Sequence, residues 1–239
     1  MAKKNPQEDI ARMTAMLREA LGGHLDSLVL YGSVLQGIVP GKYTDTNLVC
    51  VLDEITIASL DAAALALAWW TKQGYPPVVL LSRDEQRDSS DVFPLEYLDI
   101  QHQHRVLAGK DAFAEVAKHP QLHRLQVEHD LRTHLIRLRN GYALAQGDAG
   151  KLEKLMAESL LTFLVLFRHA LLALGEPLVL RMDDIIEAAS RRFQFEPQIW
   201  RQIHHARHDS LRLSKAETRS LFTAYLGDIQ KVEREMERQ

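Results

Sequence analysis

The chain has 239 residues, 46% of them hydrophobic and 26% charged, a balance that excludes a disordered or fibrous protein and leaves room for one large domain or two small ones. Twenty-nine Lys and Arg against 32 Asp and Glu give a net charge of −3, so no overall basic field draws nucleic acid, which would need a local patch. A single cysteine, Cys50, excludes an internal disulfide and lies in the apolar run Leu48-Val49-Cys50-Val51-Leu52, the setting of a small buried hydrophobe.

The polar N-terminus lacks the apolar segment of a secretory signal. The apolar runs Ala62 to Trp70 and Leu160 to Phe167 fall short of the roughly 20 residues that cross a bilayer. A cytoplasmic protein without a membrane partner is the expectation.

Asn5-Pro6 reads as an N-cap with proline at the first helical position, and Ile10, Met13, Leu17 and Leu21 then recur at helical spacing until Gly22-Gly23. Leu25 to Tyr31 is a strand that runs into Gly32-Ser33, a tight turn opening a short helix, and 37–44 is a loop around Pro40-Gly41. Asn47 to Leu52 is a strand apolar on both sides, which predicts a sheet interior covered on both faces. Ser59 to Gln73 is a helix stopped by Gly74, Val78 to Leu81 a third strand, and Ser82-Arg83-Asp84-Glu85 a capping box that starts a short helix. Phe93 to Ile100 is expected as a fourth strand.

From Gln121 onward β-branched runs vanish. Long helices are expected over about 121–146, 150–174 and 214–237, with shorter ones over 182–192 and 196–208. The fold expectation is therefore α/β (α+β): a sheet domain over 1–115, then an all-α helical bundle over 120–239.

The chemistry concentrates where the first two strands meet. A strand that runs into Gly32-Ser33 at a helix start offers backbone N–H groups and a hydroxyl to an anion, with phosphate the natural guest. Asp45 and Asn47, two apart at the opening of the next strand, share one face because strand side chains alternate. Two carboxylates so placed would hold Mg2+ against a triphosphate.

In these residues the sequence resembles the nucleotidyltransferase superfamily, the polymerase-β-like fold that includes the kanamycin nucleotidyltransferases. The family's motif is an apolar strand, Gly-Ser or Gly-Gly, about ten residues, then Asp-x-Asp or Asp-x-Glu, with a third acid on a later strand. Gly32, Ser33 and Asp45 match it, Asn47 stands in place of the second acid, and Glu96, or else Asp99, takes the place of the third. The resemblance implies a small mixed sheet followed by a helical bundle and a cleft between them. It implies that Gly32 and Ser33 bind the nucleotide, that Asp45 and Glu96 are catalytic, and that Asp45, Asn47 and Glu96 hold Mg2+.

Asparagine at 47 removes a full charge from a cation site, so the expectation is a degenerate site that binds a nucleoside triphosphate or another phosphorylated small molecule. Two alternatives stand beside it. One is an active Mg2+-dependent nucleotidyltransferase acting on a small molecule, a protein or an RNA end. The other is a non-catalytic interaction module, a homodimer first of all, because Leu160 to Phe167 is apolar almost all round and must be covered by another helix or another chain.

Other patterns carry less. Trp69-Trp70 reads as core, His204 and His208 share a helical face without the acid of a zinc motif, and Arg124 with His129 matches the Arg-x4-His spacing of helical ribonuclease toxins by one pair of common residues.

Overall fold

The computed structural model describes residues 5–36, 46–207, 211 and 213–238. The chain divides into two compact units, Met1–His119 and Pro120–Gln239.

In the first unit, α1 (Pro6–Leu21) starts where the Asn5 side chain accepts the Gln7 N–H and ends at Gly22. β1 (Leu25–Tyr31) leads through Gly32 into a 3-10 turn, Ser33–Gln36. β2 (Asn47–Leu52), α2 (Ile57–Lys72), β3 (Val79–Ser82), α3 (Arg83–Asp88), α4 (Pro94–His102) and β4 (His104–Gly109) follow. The described strands form one sheet in the order β3-β2-β1-β4, with β1 antiparallel to β2 and β4, and β2 parallel to β3.

Alternation along β1 and β2 gives the sheet two apolar faces. Leu28, Leu30, Leu48, Cys50 and Leu52 pack with Ile10, Met13 and Leu17 of α1 and with Ala63, Ala66 and Trp70 of α2. Val29, Val49 and Val51 pack on the other side with Tyr97 and Ile100 of α4 and with Phe113. Trp70 is fully buried, donates to the Pro76 carbonyl at 2.9 Å and stacks on Tyr75 at 4.0 Å, which is a core role.

One element is corrected. Phe93 to Ile100 is not a strand: residues from Pro94 onward are helix α4, with proline at its first turn where the missing N–H costs nothing. The strand lies just after it, at His104–Gly109.

The second unit is helical: α5 (Pro120–Ala145), α6 (Ala149–Ala173), α7 (Met182–Phe193), α8 (Pro197–Ala206) and α9 (Lys215–Glu237). By length and composition alone α6 could cross a membrane, a length its Leu160 to Phe167 run did not suggest, but 61% of its apolar window is buried and α5, α7, α8 and α9 all pack on it. That is the placement of a core helix, and the covering that its apolar circumference demands comes from helices of the same unit. Phe167 lies 4.7 Å from Trp200, and Trp200 lies 4.8 Å from Tyr225, so an aromatic column joins α6, α8 and α9.

Candidate functional site

β1 ends at Tyr31, and Gly32 then adopts φ +95°, a conformation that side chains other than glycine rarely take. The Leu35 N–H closes the turn on the Gly32 carbonyl at 3.1 Å. Glycine is therefore what lets the chain leave the strand so abruptly at this end of the sheet.

Tyr31 lies directly opposite Asn47 on β2 and opposite His104 on β4. Residues opposed across neighbouring strands project to the same face, so Tyr31, Asn47 and His104 form a row across three strands. The row continues the face that carries Val29 and Val49, the face that α4 covers with Tyr97 and Ile100.

α4 also brings carboxylates to this row. Glu96 and Asp99 are three apart on the helix and share a side. The Tyr31 phenol is held above its usual range of about 10, first by burial and then by the negative charges of Glu96 and Asp99. Glu96 is exposed and Asp99 half-buried, so neither is spent on the core. His104 anchors the arrangement: its Nδ1 lies 2.7 Å from the Ile100 carbonyl at the end of α4, and its Nε2 lies 2.9 Å from Asp111 Oδ1. The same Asp111 oxygen accepts the Phe113 N–H at 3.1 Å.

Of the residues expected at the site, Gly32, Asn47, Glu96 and Asp99 fall at this end of the sheet, with Glu96 and Asp99 on a helix and not on the strand that the sequence suggested. Asp45, the loop at 37–44 and the side chain of Ser33 lie outside the described residues. Tyr31 and His104 were missed as site residues. Their signal is positional, because Tyr31 directly precedes Gly32, but its alignment with His104 requires a strand register that the sequence does not state.

Among the described residues no group of three or more His, Cys, Asp or Glu is placed to hold a metal ion. Cys50 is fully buried and burial pushes its thiol up to about 12, which removes it as a nucleophile. Arg124 binds Glu128 and the Met236 carbonyl while His129 binds Asp130, so the Arg-x4-His pair is engaged separately. His208 lies outside the described residues.

No family model matches the chain, and no curated protein matches it. Among solved structures, the spectinomycin adenyltransferase AAD(9) from Enterococcus faecialis, determined with ATP and spectinomycin, matches 95% of this chain and 100% of its own with a TM-score of 0.57 at 12% identity. The chain shares the fold of this adenyltransferase. The likeness takes in residues of the mixed sheet of the first unit and of the helices of the second, since the match covers 95% of the chain.

Proposed function

We propose that this chain binds a nucleoside triphosphate or another phosphorylated small molecule at the end of the sheet marked by Gly32, Ser33, Asp45 and Asn47, through a degenerate metal site. The observation that carries the reading is Asn47: it stands beside Tyr31 at the opening of β2, in a fold shared with an adenyltransferase determined with ATP. Mg2+ takes hard oxygen ligands, and Asp45, Asn47 and Glu96 are the residues that would supply them. The neutral amide of Asn47 contributes an oxygen without charge, so the cation is held weakly and the nucleotide binds with little dependence on it.

Thermal unfolding with ATP, GTP, CTP and UTP, each with and without Mg2+, tests the reading. A ligand at 100 times its dissociation constant stabilises the fold by about 2.7 kcal/mol, so a clear upward shift with at least one nucleotide is expected. No shift with any of them refutes it.

The active-enzyme reading is favoured by a specific observation, the two carboxylates of Glu96 and Asp99 acting on Tyr31 at this same sheet end. In it the hydroxyl oxygen of a small molecule, a protein side chain or an RNA end bonds to the α-phosphorus of a nucleoside triphosphate, the α–β phosphoanhydride bond breaks, and pyrophosphate leaves with the hydroxyl proton passing to solvent, with Asp45 and Glu96 as the catalytic carboxylates. Asp45→Asn then abolishes transfer of an α-labelled phosphate while leaving the melting temperature nearly unchanged. If neither the wild type nor Asn47→Asp labels any acceptor, the enzyme reading fails and binding alone remains.

A further inference from the structure

A triphosphate bound with little help from Mg2+ needs its negative charge met by the protein itself. The first unit has a cation placed for this at the same end of the sheet. On β4, Arg105 follows His104 and lies opposite Leu30 of β1, two residues before Gly32. Two residues of strand span about 6.6 Å and opposed Cα atoms stand about 5 Å apart, so the Arg105 Cα is about 8 Å from Gly32, within the reach of an extended arginine.

The side on which Arg105 stands is that of the turn. Opposed to Leu30 and alternating with Val106, it shares the face of Leu30 and Leu107, which α1 and α2 cover. After Gly32 the chain bends onto this same face, where Val34 and Leu35 pack against the cluster that contains Leu30. Tyr31, Asn47 and His104 lie on the other face, toward α4. The fold makes no use of the Arg105 charge: Leu30 beside it is 1% exposed, yet Arg105 is exposed and, among the described residues, has no hydrogen bond, ion pair or ring contact. By contrast, Arg83 and Lys110 are bound to Asp26, and Arg87 to Asp84 and Asp88.

Resting on the nucleotide reading above, we propose that Arg105 grips the phosphate chain of the bound nucleotide, its guanidinium forking two phosphate oxygens beside the Gly32 turn. The planar fork matches phosphate geometry as an ammonium does not. Arg105 supplies the positive charge that a weakly held cation does not, and the site thereby selects a triphosphate over a monophosphate.

Calorimetric titration of the full chain without Mg2+, with inorganic tripolyphosphate, ATP and AMP as probes, tests the assignment. Arg105→Gln is expected to weaken tripolyphosphate and ATP at least about tenfold and AMP less than about twofold. Its melting temperature without ligand stays that of the wild type, because the side chain is exposed. Arg105→Lys keeps the charge without the fork and recovers part of the loss. Equal affinities in wild type and Arg105→Gln overturn the assignment and leave the nucleotide reading standing, Arg105 then being only a charge that guards a sheet edge. A loss as large for AMP as for ATP, or a wild type indifferent to tripolyphosphate, overturns it too. A wild type that binds none of ATP, GTP, CTP and UTP brings down the nucleotide reading as well.

Discussion

Replacing Gly109 by alanine should damage the pairing of β1 with β4 severely and locally. Gly109 closes β4 at φ +74°, and a Cβ there would come within 2.1 Å of the Asp26 carbonyl oxygen and 2.8 Å of its carbonyl carbon. The obstacle is backbone, so no change of rotamer relieves it. An alanine in this left-handed conformation costs about 1–2 kcal/mol by itself. Relief of the overlap requires the strands to part where the Lys110 N–H donates to the Asp26 carbonyl at 3.1 Å and the Ser27 hydroxyl donates to the Lys110 carbonyl at 2.7 Å. Each of these bonds is worth about 1 kcal/mol, so the expected loss is about 3–4 kcal/mol. Urea unfolding followed by tryptophan fluorescence in a Trp200→Phe background reads the first unit alone, because the other tryptophans are Trp69 and Trp70. Ser27 pairs with Gly109 and Tyr31 with His104, so the lesion lies at the far end of β1 from the candidate site and nucleotide affinity should be unchanged. A loss below about 1 kcal/mol would refute the close approach of β4 to Asp26.

Two further predictions concern single side chains. Cys50, buried and with its thiol pushed up to about 12, should resist Ellman's reagent at pH 8 until the chain is unfolded; fast labelling of the folded protein contradicts its place between the sheet and the helices. The phenol of Tyr31, isolated as the difference between wild type and Tyr31→Phe in an ultraviolet titration, should ionise above pH 10, because burial and the charges of Glu96 and Asp99 disfavour the phenolate. Glu96→Gln removes one of those charges and should lower the midpoint, and an unmoved midpoint would separate α4 from the candidate site.

Where the sequence states a boundary chemically, the fold follows it. Asn5-Pro6 and Gly22 bracket α1, Ser82 and Glu85 close a reciprocal capping box on α3, and the unbroken apolar run of β2 is buried on both faces. Helix α4 was misread because Phe93, Leu95, Tyr97 and Ile100 suit a strand by composition, although Pro94 at the first turn and Glu96 just after it are helix-start signals. The strand at His104–Gly109, polar at its start and half-exposed along most of its length as befits a sheet edge, was legible only through the resemblance, which puts a turn and a strand there. At the candidate site, Gly32 and Asn47 were legible because a turn and a departure from a motif are local features. The row of Tyr31, Asn47 and His104 was not, since it depends on register between strands separated by up to about seventy residues of chain.

Asn47 is proposed as the residue that weakens cation binding at a nucleotide site. Calorimetric titration of Mg2+ into the nucleotide-saturated protein, wild type beside Asn47→Asp, measures this directly. The added carboxylate contributes a charge-assisted ligand, so the variant is expected to bind Mg2+ at least about tenfold tighter, while the wild type binds nucleotide almost equally well with and without the ion. Equal Mg2+ affinities in the two proteins, or a wild type whose nucleotide binding collapses when the ion is removed, would contradict the account.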